Sequence, residues 1–166
     1  MSVLVLVRHA KAVPKDEPVE DFDRPLSSRG QADAPLTGRW LAESGVEATL
    51  ALCSPSLRTR ETWQLIAPAL AEAPPVVYDE RLYNAPPQRL VTVLAERGGQ
   101  LGSLLLVGHN PGLHELASAL CGTGPKKLVE RLRSGFPTSG AAVLELTGGW
   151  DALKPGAGRL TEFWSP

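Results

Sequence analysis

The chain is 166 residues long, enough for a single domain, residues 1–166, that buries roughly two thirds of the surface its unfolded form exposes. A formal net charge of −1, with 43% apolar and 21% charged residues, is ordinary for a globular protein and supplies no basic field for nucleic acid. No apolar run approaches the roughly 20 residues of a membrane span, and the short apolar start has neither the charged region nor the cleavage site of a signal peptide, so the cytoplasm is the expected location.

Ser2 to Val7 reads as a short strand buried on both faces, and it ends abruptly in Arg8-His9. Lys11 to Arg24, rich in proline and acidic residues, reads as a loop. Ser28 and Gln31 have capping-box spacing and open a helix that runs to Gly45, with Pro35 expected to kink or restart it. Thr49 to Cys53 is a second strand and Ser56 to Leu70 a second helix, its last turn disturbed by Pro68. Val76 to Tyr78 reads as a short third strand, and Pro87 to Glu96 as a helix opened by proline. Leu104 to Val107 repeats the first pattern: a buried strand, then Gly108-His109-Asn110-Pro111-Gly112, then a helix from Leu113 to Leu120. The glycine-rich region Gly122 to Pro137 has no clear pattern. Ala141 to Leu146 and Arg159 to Trp164 read as closing strands.

Alternating strands and helices predict an α/β fold, a mostly parallel sheet covered on both faces. Ligands of such sheets sit beyond the carboxyl ends of the strands, where Arg8-His9, Ser54 to Arg58 and Gly108 to Asn110 all fall. Two arginines and two histidines there make a compact pocket whose charge and planar donor forks suit a phosphoryl group. A neutral imidazole adds a nucleophile that can form a phosphoenzyme. His114, one turn into the following helix, reads as packed or solvated; Arg60 as structural; Ser54 and Thr62 as supports of motif geometry. The three histidines lack a metal-binding spacing such as HExxH. Cys53 and Cys121 are too few and too far apart for a metal motif or disulfide framework and read as small buried hydrophobes.

Arg8-His9-Ala10, the stretch Ser54-Pro55-Ser56-Leu57-Arg58-Thr59-Arg60-Glu61-Thr62 and Gly108-His109-Asn110 together resemble the RHG, SPxxRAxxT and late GH motifs of the histidine phosphatase superfamily. The RHAKA form, the stretch Asp21-Phe22-Asp23-Arg24-Pro25-Leu26-Ser27 and Gly108-His109-Asn110-Pro111-Gly112 are similar to its SixA phosphohistidine phosphatase branch. The resemblance implies a three-layer α/β/α sandwich of the phosphoglycerate mutase type, with His9 as phospho-accepting nucleophile. Arg8, Arg58 and His109 would then hold the phosphoryl oxygens, with Arg24 and Asn110 as substrate-binding candidates. It implies no cofactor and no metal. The implied partner is a phosphohistidine-bearing protein such as a phosphotransfer domain.

The chain departs from the general pattern at Ala10, where the superfamily has glycine, and at Asn84, which stands where mutases and many phosphomonoesterases carry a glutamate proton donor. An alkoxide leaving group needs such an acid, worth roughly 10²–10⁴-fold. Imidazole, whose conjugate acid has a pKa near 6.5, needs it far less. Asp21, Glu61, Asp79 and Glu80 remain as alternative donors. A small-molecule phosphomonoesterase and a non-catalytic phosphate-binding module are the competing readings.

Overall fold

The computed structural model describes residues 1–16 and 18–166. Its elements follow in the order β1 (Ser2–Arg8), α1 (Ser28–Glu43), β2 (Leu50–Cys53), α2 (Leu57–Ile66), β3 (Val76–Tyr78), α3 (Pro87–Gly98), β4 (Ser103–Gly108), α4 (Gly112–Leu120), β5 (Cys121–Thr123), α5 (Lys126–Ser134), β6 (Ala141–Leu146) and β7 (Gly158–Trp164). One seven-stranded sheet has the order β3-β2-β4-β1-β6-β7-β5. β6 runs antiparallel to both of its neighbours, and the other adjacent pairs are parallel.

The central strands are apolar throughout because each face meets a different helical layer. Leu4, Leu6, Leu52, Leu104 and Leu106 face a core completed by Leu90 and Leu94 of α3, Leu113 and Leu116 of α4, and Leu132 of α5. Their alternates Val5, Val7, Ala51, Cys53, Leu105 and Val107 face Leu41 of α1 with Trp63 and Ile66 of α2. The period of two along each strand divides these runs between the layers. The result is the mostly parallel, doubly covered sheet that the strand-helix alternation predicts, and the three-layer α/β/α sandwich that the resemblance implies.

Local departures from the sequence reading have local causes. The cap of α1 is Ser27 rather than Ser28: Ser27 has extended backbone, its Oγ accepts from Gly30 N at 3.2 Å, and Gln31 reaches back to the Leu26 carbonyl. The helix continues through Pro35 without interruption. α2 ends at Ile66 and tightens into a 3-10 turn, Ala67–Ala69, that contains Pro68. The unpatterned stretch after Leu120 holds both β5 and α5. Only three residues long, β5 includes Gly122, where a Cβ would lie 2.3 Å from the Gly156 carbonyl oxygen. Most of α5 is charged, and one of its side chains, Leu132, is fully buried.

The end of α4 that adjoins the pocket packs directly on backbone. A Cβ at Gly112 would stand 1.9 Å from the Ala85 carbonyl oxygen, so only glycine lets the helix start this close to the Asn84-Ala85 turn. We therefore expect Gly112→Ala to cost about 1–3 kcal/mol through overpacking. Thermal melting should fall by about 2–4 °C per kcal/mol for a chain of this length. Gly102→Ala, where a Cβ would meet nothing within 4 Å, is the control and should melt like the parent.

Candidate active site

The strands β2, β4 and β1 are neighbours, and their carboxyl ends deliver Ser54, His109 and Arg8-His9 to one place. A cavity of about 440 Å³ opens there, and Arg8, His9, Arg58, His109, Arg24, Asn110, Asp21 and Asn84 are among its lining residues. Its wall also includes Lys11 to Lys15 of the loop that follows β1.

His9 is held at both ends of its backbone: its N–H donates to Gly108 O at 3.1 Å, and its carbonyl accepts from Ser139 N at 3.1 Å. Its Nδ1 lies 2.7 Å from the Ala10 carbonyl. A carbonyl can only accept, so Nδ1 carries the proton and Nε2 keeps a free lone pair. Ala10 N in turn donates to Thr62 Oγ1 at 2.9 Å, and Thr62 Oγ1 donates to Arg58 O at 2.7 Å, tying the β1 end to the first turns of α2. Burial lowers the His9 pKa to about 3; the Ala10 bond opposes this, and Arg58, Arg8 and Arg24 reinforce it.

The His109 ring centre lies 5.4 Å from that of His9, with the planes inclined by 56°. Its Nε2 is 2.7 Å from Ser54 Oγ. Burial lowers its pKa to about 2, with further contributions from His9 and Arg58, so this imidazole is neutral too. Arg8 Nη1 donates to the Phe136 carbonyl at 3.0 Å, and Arg58 Nη1 donates to the Asp21 carbonyl at 2.7 Å. Three buried side-chain atoms have no hydrogen-bond partner among the described residues: Arg8 Nε, Arg58 Nε and His109 Nδ1. All three belong to the strand-end quartet. Orphaned polar atoms are rare in native interiors, and here three fall on residues that line one pocket.

Asp21 is the one carboxylate among the described lining residues. Its Oδ1 accepts from Arg24 Nε at 3.0 Å and pairs with Arg24 Nη2 at 2.9 Å, while Oδ2 accepts from Arg58 Nη2 at 3.1 Å and from the Tyr83 hydroxyl. Burial alone would raise its pKa, but the Tyr83 hydroxyl and the two guanidinium groups outweigh burial and hold it well below the usual carboxylate range. Tyr83 also sets its ring edge-on to His109 at 5.4 Å and to Phe22 at 5.1 Å.

The remaining candidates divide by position. Arg24 is in the pocket wall, buried, and tied to Asp21 and the Val13 carbonyl. Asn110 also lines the pocket, but its amide is engaged by backbone: Nδ2 donates to Phe136 O and Oδ1 accepts from His114 N. Glu61 accepts from Leu26 N, Asp79 is clamped by Arg81 and Arg97, Glu80 is exposed, and none of the three lines the cavity. Asn84 does line it, with a positive φ of 47°. Outside the quartet, His114 Nε2 bonds the Leu132 carbonyl and Arg60 Nε the Pro55 carbonyl, both structural contacts. Cys53 is buried and Cys121 half-buried. Sequence reasoning passed over Tyr83, which belongs to no motif, and gave Ser54 no specific contact.

Residues 4–85 match the model of the histidine phosphatase superfamily (branch 1). An uncharacterized protein of Mycobacterium tuberculosis is 37% identical over 163 residues, 96% of this chain and 99% of that one. The chain belongs to the histidine phosphatase superfamily. Among solved structures, one assigned as the phosphohistidine phosphatase SixA of Agrobacterium tumefaciens matches with a TM-score of 0.82 at 33% identity, over 99% of this chain and 98% of that one. Another assigned SixA, from Nakamurella multipartitia, matches with a TM-score of 0.81 at 29% identity, over 99% and 96%. The chain thus falls in the SixA-like branch of a superfamily of phosphatases, and its fold is theirs.

The two neutral histidines make stability depend on pH. Both fold with pKa values far below 6.5, so below pH 6.5 the unfolded chain binds protons that the folded chain refuses, and stability falls as pH drops toward about 3 and 2. The expected slope is about 1 kcal/mol per pH unit for each histidine. Urea unfolding at pH 7, 6 and 5 should show this loss, and His109→Asn should make the slope shallower. Asp21 and Asp79, both with lowered pKa values, enter below about pH 4, outside that window.

Proposed function

We propose that the chain is a phosphohistidine phosphatase that works through a covalent phospho-His9 intermediate. The observation that carries the nucleophile is the 2.7 Å bond between His9 Nδ1 and the Ala10 carbonyl, which leaves an unprotonated Nε2 in a pocket of arginine donors. In the first step Nε2 attacks phosphorus in line, the P–N bond to the substrate histidine breaks, and the departing imidazole leaves with a proton from solvent or on its distal nitrogen. Arg8, Arg58 and His109 meet the charge on the equatorial oxygens. In the second step water attacks the phosphoryl group, the bond to His9 Nε2 breaks, and inorganic phosphate leaves. His9 keeps its Nδ1 proton throughout, so it departs as a neutral imidazole and needs no separate acid.

The supply of protons supports a phosphoramidate substrate over an ester. Asn84 cannot act as an acid, and Asp21, the carboxylate at hand, is held ionised by Tyr83, Arg58 and Arg24. An alkoxide would leave with no proton donor beside it, whereas imidazole needs little help. The proposed substrate is a histidine of a partner protein, such as a phosphotransfer domain, and the reading requires neither metal nor cofactor.

The test is turnover of a phosphohistidine protein, phosphoserine and an aryl phosphate side by side, in the presence of EDTA. We expect selective loss of phosphohistidine, abolished in His9→Ala and reduced about 10²–10³-fold in Arg58→Ala, the range seen when one oxyanion donor is removed. Faster turnover of the ester would keep the pocket and overturn the substrate; full activity in His9→Ala would overturn the mechanism.

A further inference from the structure

The His109–Ser54 contact can be read in two directions, and counting protons separates them. Ser54 is fully buried, and among the described residues its hydroxyl has one partner, His109 Nε2, at 2.7 Å. If Nε2 carried the proton and donated it, the serine proton would have no acceptor and the Nδ1 lone pair no donor, leaving two buried groups unsatisfied. If the serine hydroxyl donates to Nε2, one group remains, an Nδ1 N–H. That N–H is the orphaned atom beside Arg8 Nε and Arg58 Nε. A lone pair at the same point would repel a phosphoryl oxygen, whereas an N–H attracts it.

We propose that Ser54 is a positioning residue: its hydroxyl, donating to His109 Nε2, fixes His109 in the Nδ1–H tautomer and so makes a neutral ring a donor to the phosphoryl group. This rests on the phosphoryl-binding reading of the pocket. The arrangement is the mirror of His9, where a backbone acceptor holds the proton on Nδ1 to free Nε2 as nucleophile. An acceptor sets one ring to attack, and a donor sets the other to bind.

Ser54 is well placed to enforce this. Its own N–H donates to Val107 O at 3.1 Å across the β2–β4 ladder, and its carbonyl accepts from Thr59 Oγ1 at 2.7 Å, so the residue is fixed on both sides. The hydroxyl is the part of Ser54 that the backbone does not use.

Long-range proton–nitrogen correlation spectra of the nitrogen-15-labelled protein at pH 7 test the proposal, with His109→Asn assigning one of the three imidazole patterns. The wild-type chain should show His109 as the Nδ1–H tautomer. In Ser54→Ala that pattern should give way to a mixture or to the Nε2–H form, with kcat on a phosphohistidine protein lowered about 10- to 100-fold, as when a partner that orients an imidazole is removed. Ser54→Thr, which keeps the hydroxyl, should restore both. An Nε2–H tautomer in the wild type overturns the proposal, as does an unchanged tautomer in folded Ser54→Ala. The wild-type tautomer is read without turnover, so it stands even if the phosphatase reading fails.

Discussion

The hydrogen bond from His9 Nδ1 to the Ala10 carbonyl decides which end of the ring can react, and much of the surrounding structure serves to keep that bond in place. Ala10 is held by Thr62, Thr62 by the backbone of Arg58, and the His9 backbone by Gly108 and Ser139. A protonated imidazole here would be buried between guanidinium groups with no carboxylate of its own. Burial and those cations both act against protonation, which keeps Nε2 unprotonated well below neutral pH. The stability that falls away below pH 6.5 is thus the thermodynamic counterpart of keeping a buried imidazole neutral.

Sheet order converts this local chemistry into a pocket. β4 lies between β1 and β2, so strands far apart in sequence end side by side: His9 and His109, the residues after β1 and β4, line the same cavity, and Ser54, after β2, bonds His109 behind it. Their side chains alternate between two apolar layers along the strands, and the polar groups begin where the strands stop. Parallel strands that end together present several loops to one point, as an alternating meander would not.

Much of this was legible in the sequence, for physical reasons. Runs such as Val3 to Val7 and Leu104 to Val107 leave no polar face, which identifies strands covered on both sides, and the polar residues directly after them, Arg8-His9 and His109, line one cavity. β5 and α5 were hidden because their short apolar content is diluted by glycine and charge and becomes clear only against the core they complete. Pro35 was misleading because its ring can be accommodated in α1. Asn110, a substrate-binding candidate from the sequence, lines the pocket, but sequence could not tell that its amide would be taken up by Phe136 and His114. Tyr83 lay in no motif, and its contact with Asp21 joins residues 62 positions apart.

Asp21 is a carboxylate in the pocket wall that its neighbours hold ionised. A proton donor must hold a proton near neutral pH, which requires a raised pKa, and burial alone would push Asp21 in that direction. The three donors around it reverse the outcome, and both of its oxygens are occupied by Arg24, Arg58 and Tyr83. Its charge is therefore used to orient Arg58 and Arg24 and to keep two nearly buried guanidinium groups from repelling each other without compensation. With Asn84 facing the same cavity, the pocket is rich in fixed donors and poor in mobile protons. The proposed phosphoryl transfer between two imidazoles fits such a site, because charge must be met but little proton needs to move.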